Sequence, residues 1–393
     1  MAAKTEPSSE SAEELITRAL TNGLGRGCEV ERIECLDAHL QGHAFKYCEK
    51  SARLLGVYPY RITYRVASAS RRPIDVMVKA KPDEDEILRV YQGLLKGADI
   101  ALRGSLVNYL RNSDYQTPNL KEAVLFRDFA EPLSPFLPRS WGVYLESATG
   151  YTLRLEEKLA AGSIILSPDD DTTERWAPDC SDLTLRGIAR IHARFSNNYQ
   201  SLLDTGYFYV CDTEVMTQAR ELWQSLYDFL AQTYPAVMTK SLAKRHQQIL
   251  DTLDDWYPQV DRQAKTLLYG DVNPQNLAFA KTGDDFQLSV FDWERALIGL
   301  PQRDLAEHLI YTLPDDFKEQ DAKKEIGIYR EAFAAEGAIS LSDADFLQGL
   351  VWMLYDLILN RLPLMLVVKH VAQKRRHSDA AYLKAHRLAE LLR

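Results

Sequence analysis

One stretch, residues 267–306, constrains the fold of this chain more than any other: LLYGDVNPQNLAFAKTGDDFQLSVFDWERALIGLPQRDLA. Two short apolar runs, 277–280 and 286–291, flank the segment Thr282-Gly283-Asp284-Asp285, whose Gly and Asp residues are typical of a turn between paired strands. The loops before and after these runs are rich in carboxylates and side-chain amides. The stretch therefore predicts a β-hairpin that fixes two polar loops relative to each other.

The spacing of three polar residues in this stretch indicates a chemistry. Asn276 follows Asp271 by five positions, and Asp292 follows the next apolar strand. Protein kinases use this order for phosphoryl transfer: the Asp accepts the proton of the attacking hydroxyl, and the Asn and the later Asp bind Mg²⁺. Mg²⁺ is a hard cation that prefers oxygen ligands. We therefore predict Asp271 as the catalytic base and Asn276 and Asp292 as metal ligands.

The same stretch resembles the aminoglycoside phosphotransferase and choline kinase family, the small-molecule branch of the protein-kinase-like fold. The residues that carry the resemblance are Tyr269-Gly270-Asp271, Asn276, Phe291-Asp292-Trp293-Glu294, Gly299, Pro301 and Asp304-Leu305-Ala306. It implies an α+β fold of two lobes, with a small antiparallel-sheet N-lobe and a large, mostly helical C-lobe. It also implies ATP and Mg²⁺ as cofactors.

Four further residues of the stretch are expected to support the catalytic loop. Tyr269 stands where the family usually has His, and an aromatic ring can pack there. Asn273 stands where many members have a second His, which could change how substrate or metal is oriented. Glu294 follows the metal-binding Asp292. In the family Asp304 braces the catalytic loop, and we also expect it to be the N-cap of the helix that it opens.

A nucleotide-covering sheet is predicted from the strand-like runs 30–36, 59–67 and 74–81. By resemblance to a kinase small lobe, Lys79 is the candidate for the strand lysine that contacts the α- and β-phosphates. Lys81 is the alternative, because residues two apart on a strand point to the same face.

The resemblance also implies a helix glutamate that pairs with this lysine, and a hinge that binds adenine. Glu122 fits the glutamate best by its order in the chain, with Glu84 and Glu86 as competitors. Glu156 and Glu157 lie in the strand that leads to the hinge, where backbone groups would bind the adenine edge.

The predicted organisation is a disordered tail at 1–12, an N-lobe at 13–157 with a helical insert at about 82–118, and a C-lobe at 158–393. The loop 37–58 would cover the phosphates but contains only two glycines and no GxGxxG pattern. A GxxxxGK[ST] pattern is absent too, which excludes an ordinary P-loop NTPase. The acidic segment 169–182 is expected to be a solvated surface loop.

One helix and one apolar stretch are predicted to lie in the core. The strongly periodic helix 183–195 contains His192, which we expect to be a hydrogen-bonded core histidine. The most apolar stretch, 350–368, contains Asp356, Asn360, Arg361 and Pro363. Because these residues are costly in hydrocarbon, the stretch indicates a buried helix interrupted at Pro363 rather than a membrane span.

Charge and cysteine content restrict the partners. There are 47 basic and 56 acidic residues, a net charge of −9, which argues against a nucleic-acid binder and is compatible with a cationic acceptor. The five cysteines form no CxxC pair, which suits a reducing cytoplasm and indicates neither a zinc site nor a disulfide framework.

Two functions follow from these observations. The first is an ATP- and Mg²⁺-dependent kinase that transfers the γ-phosphoryl group to a hydroxyl of a small metabolite or natural product. The second is a nucleotide-binding pseudokinase, or a relative that transfers the nucleotidyl group instead. The degenerate glycine loop and Tyr269 favour the second, and the intact set of Asp271, Asn276 and Asp292 favours the first.

Overall fold

The three strands predicted near the N-terminus and the predicted hinge strand join a fifth, unpredicted strand in one antiparallel sheet, in the spatial order β1-β2-β3-β5-β4. Their bounds are β1 Cys28–Cys35, β2 Gly56–Val66, β3 Arg72–Lys81, β4 Ser140–Glu146 and β5 Tyr151–Glu157. Along β3 the alternate residues Val76, Val78 and Ala80 are buried in the core. Lys79 and Lys81 therefore share the opposite face of this strand, as period-2 geometry requires.

The computed structural model of the chain describes residues 11–37, 53–66, 70–97, 108–110, 117–165, 179–196, 198–337, 341–372 and 377–393. Three predicted segments fall largely outside these ranges: the N-terminal tail, the phosphate-covering loop and the acidic segment 169–182. Much of the predicted insert 82–118 also lies outside them.

Helix α1, Ala12–Leu24, packs on the sheet. It begins with a capping box, in which Ser11 Oγ accepts from the N–H of Glu14 and the Glu14 carboxylate accepts from the N–H of Ser11. The approach to β4 is so close that a Cβ on Gly142 would lie 2.0 Å from the carbonyl oxygen of Ala19. Only glycine fits at that position.

The described residues between β3 and β4 include the helices α2 Glu84–Gly97, α3 Pro118–Asp128 and α4 Ala130–Leu133. The buried side chain of Asn119 donates to the carbonyl oxygens of Pro82 (2.7 Å) and Gly150 (3.0 Å). These two bonds fix the start of α3 to the ends of β3 and β5, which places Glu122 near the charged face of the sheet.

The remainder of the chain is mostly helical. Its helices are α5 Cys180–Phe195, α6 Gln200–Leu203, α7 Thr213–Gln218, α8 Arg220–Thr233, α9 Lys240–Asp251, α10 Leu253–Asp261, α11 Gln302–Thr312, α12 Glu319–Ala335, α13 Asp343–Leu359, α14 Arg361–Ala372 and α15 Ser378–Leu391. Its strands are β6 Ile164–Ile165, β7 Thr266–Leu268, β8 Leu277–Thr282, β9 Asp285–Val290 and β10 Leu297–Gly299.

The predicted β-hairpin is present. Strands β8 and β9 pair in antiparallel register from Leu277↔Val290 to Thr282↔Asp285, and β6 pairs with the other edge of β8. Strand β7 pairs with β10. The catalytic loop therefore runs from the end of β7 to the start of β8, and Asp292 follows the end of β9.

The apolar stretch near the C-terminus is a pair of core helices. The segment Asp343–Ala372 is long and apolar enough to cross a membrane, but 83% of its most apolar window is buried inside the protein. The predicted interruption at Pro363 is wrong, because the helix breaks at Asn360, between α13 and α14. Pro363 lies in the first turn of α14, where the missing N–H costs nothing.

By internal contacts the chain divides into two units, Met1–Leu88 with Asn119–Ala161, and Arg89–Pro118 with Gly162–Arg393. This division does not test the predicted lobe boundaries, which stay a prediction. It assigns part of the predicted helical insert to the second unit. The predicted fold class is confirmed: the first unit is a small antiparallel sheet with few helices, and the second is larger and mostly helical, as in the protein-kinase-like fold.

Candidate active site

The first unit contains a buried chain of five alternating charges. Lys81 Nζ lies 2.5 Å from Glu122 Oε2, and Arg154 Nη1 lies 2.7 Å from Glu122 Oε1. Arg154 Nη2 lies 2.9 Å from Glu156 Oε1, and Lys79 Nζ lies 3.2 Å from Glu156 Oε2. The register of β3 with β5, in which Lys79 is opposite Arg154, brings these groups together on one face.

This arrangement corrects the predicted lysine–glutamate pair. The glutamate is Glu122, as expected, but its close partner is the alternative Lys81 rather than Lys79. Lys79 pairs with Glu156 instead. Glu84 takes no part in the pair, since its carboxylate accepts from the backbone at Asn119 and Leu120, and burial raises its pKa to about 7.

The ion pairs of this network join three cations to two carboxylates. Burial opposes ionisation of Glu122, but Arg154 and then Lys81 outweigh it and hold the pKa of that carboxyl well below its usual range. Glu122 is therefore ionised at neutral pH.

The two glutamates predicted at the hinge differ from each other. The carboxylate of Glu156 is buried in the ion network, where it binds Lys79 and Arg154. Glu157 is exposed at the end of β5, and its backbone N–H donates to the carbonyl oxygen of Arg139 (2.8 Å). A role of either residue in adenine binding remains a prediction.

In the second unit, one buried carboxylate fixes the start of the catalytic loop. Asp304 accepts from the backbone N–H of Tyr269 at 2.7 Å and of Gly270 at 3.0 Å, using a different oxygen for each. Gly270 has φ +79°, and a Cβ there would lie 2.4 Å from the carbonyl oxygen of Arg295. Glycine is therefore required at this turn.

The predicted N-cap role of Asp304 is wrong, whereas the expected bracing of the loop is observed. Helix α11 begins at Gln302, and Asp304 lies within its first turn with its side chain directed at the catalytic loop. His192 is the buried histidine that the sequence predicted: Nε2 lies 3.0 Å from Asp304 Oδ2, and Nδ1 lies 2.7 Å from the Tyr329 hydroxyl.

Tyr269 joins the catalytic loop to the segment after β9. Its hydroxyl donates to the carbonyl oxygen of Phe291 at 2.6 Å, and its ring packs edge-on against Trp293 with a centroid distance of 5.0 Å. The aromatic ring therefore packs at the position where the family usually has His, as expected.

The side chain of Asp271 receives two donors on one oxygen. Asn273 Nδ2 donates to Asp271 Oδ1 at 2.8 Å, and Arg361 Nη2 donates to the same oxygen. Asn273 Oδ1 accepts from the N–H of Gln275 (2.9 Å), which holds the turn that follows. Asn276 Nδ2 donates to the backbone oxygen of Asp271 (3.4 Å), so the predicted base and the predicted metal ligand are neighbours.

Sequence reasoning missed Arg361 and its partner Glu307. Arg361 also donates through Nε to Glu307 Oε1 (3.3 Å), and Glu307 Oε2 accepts from the N–H of Val272 (2.9 Å). The available signal was a lone arginine in the most apolar stretch of the chain. Such a cation is rarely buried without a partner.

The residues after β9 supply carboxylates suited to a metal. Asp292 has a left-handed backbone (φ 74°, ψ 56°), and one of its carboxylate oxygens lies within 4.8 Å of one from Glu294. The N–H of Phe291 donates to the carbonyl oxygen of Asn276 (3.3 Å), which connects this segment to the catalytic loop. Two carboxylates and a carboxamide form an oxygen donor set, and Mg²⁺ prefers such a set.

A small cavity of about 30 Å³ lies elsewhere in the second unit. Its lining includes Tyr109, Tyr257, Arg303, Asp356 and Asn360. This volume holds roughly one or two water molecules, so the cavity cannot accommodate a sugar or a larger acceptor as it stands.

The two units, the catalytic loop and the hairpin together form an architecture of the protein-kinase-like kind. Residues 211–338, which include the catalytic loop and the segment after β9, match the model of the phosphotransferase enzyme family. The resemblance predicted from the sequence is thereby confirmed over this segment. No curated protein matches the chain.

Several solved structures resemble the chain as a whole. The GDP and kanamycin complex of APH(2")-IIIa shares 13% identity, covers 96% of this chain and 97% of its own, and has a TM-score of 0.46. Macrolide 2'-phosphotransferase MphH from Brachybacterium faecium shares 13% identity, covers 94% of this chain and 98% of its own, and has a TM-score of 0.41. Choline kinase LicA from Streptococcus pneumoniae shares 14% identity, covers 97% of this chain and 98% of its own, and has a TM-score of 0.39. At these identities and TM-scores the likeness carries no argument about activity or substrate.

Proposed function

We propose that this protein is a kinase that transfers the γ-phosphoryl group of ATP to a hydroxyl group of a small metabolite or natural product. The observation that carries the proposal is the geometry of Asp271: a carboxylate with one oxygen fixed by two donors, directly beside Asn276. The match of residues 211–338 to the phosphotransferase enzyme family supports the same class of reaction.

In the proposed reaction Asp271 accepts the proton of the acceptor hydroxyl as that oxygen attacks. Both hydrogen bonds that the described residues make to its side chain go to Oδ1, which leaves Oδ2 to orient the hydroxyl. Positioning of this kind is most of what phosphoryl transfer asks of a protein.

The charged network of the first unit would bind the phosphates. Lys79 is the lysine proposed for this contact, because its side chain is more exposed than that of Lys81 (13% against 5%) and its ion pair with Glu156 (3.2 Å) is longer than that of Lys81 with Glu122 (2.5 Å). Asn276, Asp292 and Glu294 would hold Mg²⁺. When bound, the ion neutralises charge that develops on the phosphates.

The acceptor is proposed only as a class. The negative net charge of the chain is compatible with a cationic acceptor. The four described cysteines are free thiols, which supports the proposed cytoplasmic location.

The test is Asp271→Asn, assayed with ATP or GTP, Mg²⁺ and a panel of sugars, amino alcohols and antibiotics. Phosphoryl transfer is expected to fall by roughly 10²–10⁴-fold, the usual contribution of a positioned base. Asp284→Asn, the same substitution in the exposed turn between β8 and β9, is the matched control. Unchanged transfer in Asp271→Asn would contradict the proposal. A product heavier by a nucleotidyl group instead of one phosphate would favour the second candidate function.

A further inference from the structure

Arg361 occupies an unusual place for a buried cation. It is the first residue of α14, directly after Asn360, where the core helix pair breaks. The side chain of Asn360 donates to Asp356 Oδ1 (2.9 Å), four residues back, and thereby stabilises the break. The guanidinium of Arg361 is 8% exposed, so its charge must be met by carboxylates inside the protein.

The contacts of Arg361 close a ring around the catalytic loop. Nη2 donates to Asp271 Oδ1, and Nε donates to Glu307 Oε1 at 3.3 Å. Glu307 Oε2 accepts from the backbone N–H of Val272 at 2.9 Å, and Val272 is the next residue after Asp271. One arginine and one glutamate therefore hold both the carboxylate of the base and the backbone that carries it.

The charges of this ring depend on one another. The single guanidinium of Arg361 lies between two carboxylates, those of Asp271 and Glu307. Arg303 adds a second cation on the far side of Glu307, with Nη1 3.9 Å from Oε2. Burial, and to a lesser extent the charge of Asp271, raises the pKa of Glu307 to about 8. Loss of Arg361 would remove the cation that Asp271 and Glu307 share and would release the Asp271 side chain from its fixed orientation.

We infer that Arg361 and Glu307 are a positioning pair for the catalytic base. Arg361 fixes the side-chain orientation of Asp271 so that Oδ2 faces the acceptor hydroxyl, and Glu307 fixes the backbone beneath it. The inference rests on the proposed function for its catalytic part, whereas the bracing of the loop is independent of that function.

The first experiment measures the brace itself, without activity. Hydrogen exchange is followed at the N–H of Val272 in the wild type, Arg361→Met, Arg361→Lys and Glu307→Gln. We expect exchange at least tenfold faster in Arg361→Met, with Arg361→Lys between it and the wild type, because lysine keeps the charge but donates from one point. Exchange within α12 serves as the internal reference for global unfolding.

The matched control for this experiment is Arg387→Met. Arg387 also donates to two partners, the carbonyl oxygens of Asp315 (2.8 Å) and Phe317 (2.6 Å), and packs on the Phe317 ring, but it touches no part of the catalytic loop. Its loss should cost stability and leave exchange at Val272 unchanged.

The second experiment measures steady-state phosphoryl transfer in the same variants. Arg361→Met should lower kcat by roughly 10²-fold, as expected for a displaced reacting group, with KM for the nucleotide within about twofold of the wild type. The double variant with Glu307→Gln should lose less than the product of the two single effects, because paired residues are not additive.

The outcomes separate the two proposals. Unchanged exchange at Val272 in Arg361→Met overturns the brace, and faster exchange with an unchanged kcat overturns the catalytic role of the pair. A wild type that transfers no phosphoryl group to any acceptor or to water refutes the proposed function, and the catalytic role of the pair with it. The exchange measurement still decides whether the brace exists.

Discussion

Asp304→Asn tests how much the hydrogen bonds of this buried carboxylate to the catalytic loop contribute to stability. In the wild type Oδ1 accepts from Gly270, and Oδ2 accepts from Tyr269 and His192. Asparagine has one side-chain oxygen, so its NH₂ group must face at least one of these donors. The least costly arrangement keeps the oxygen at the two-donor position and loses the bond from Gly270.

The magnitude follows from this count of bonds. A hydrogen bond to a charged group contributes about 1.5–3 kcal/mol, and a neutral one about 1 kcal/mol. Losing one charged bond and weakening two others should therefore reduce the free energy of unfolding by roughly 3–5 kcal/mol. An ordinary helix cap, by comparison, contributes about 0.5–2 kcal/mol. The expected loss at Asp304 therefore exceeds the loss of a simple cap by a measurable margin.

The assay is equilibrium unfolding in urea, followed by tryptophan fluorescence. Trp293 is fully buried and packs against Tyr269, so it reports on the region where the bonds are lost. Asp284→Asn in the exposed hairpin turn is the control and should change the stability by less than about 0.5 kcal/mol. A cost below 2 kcal/mol for Asp304→Asn, with an unchanged denaturant slope, would refute the brace.

Two further predictions concern other buried charges and histidines. Lys81→Met should reduce the free energy of unfolding in urea by roughly 3–5 kcal/mol, because it removes a buried partner of Glu122. Lys79→Met, at a more exposed site, should reduce it by about 1 kcal/mol. Equal losses in the two variants would contradict the assignment of Lys81 as the close partner of Glu122. Burial lowers the pKa of His246 from 6.5 to about 3. Because the unfolded chain then binds the proton more readily, this contribution to stability is complete above the unfolded pKa and is lost as the pH falls toward 3. Between pH 7.5 and 5.0 the wild type should lose about 2 kcal/mol more than His246→Gln; parallel pH profiles of the two proteins would show that His246 does not titrate in this way.

Local patterns in the sequence predicted the parts of the site that local geometry determines. The hairpin from Leu277 to Val290 follows from two apolar runs and a turn rich in Gly and Asp. The spacing of Asp271, Asn276 and Asp292 predicted that these residues meet around that hairpin. Contacts of the Asp271 backbone and of Phe291 with Asn276 agree with this expectation.

The wrong or missing predictions concern residues whose partners are determined by tertiary packing rather than by the local sequence. Lys79 and Lys81 lie on the same face of β3, and only the docking of α3 decides which of them meets Glu122. Asp304 satisfies the sequence rule for a helix N-cap, but its carboxylate instead accepts from the backbone N–H groups of Tyr269 and Gly270. Arg361 lies 90 positions from Asp271, and no periodicity of a helix or strand extends so far.

The separation of 90 positions between Asp271 and Arg361 also has a consequence for the order in which the protein is made. On the ribosome the catalytic loop is synthesised first, and Arg361 follows roughly 5–20 s later at about 5–20 residues per second. During that interval the carboxylate of Asp271 lacks the partner that α14 provides in the finished fold, whereas Glu307, the partner of the Val272 N–H, lies only 35 positions beyond Val272. The nascent chain therefore completes its catalytic loop only when the last core helices have been translated and have docked.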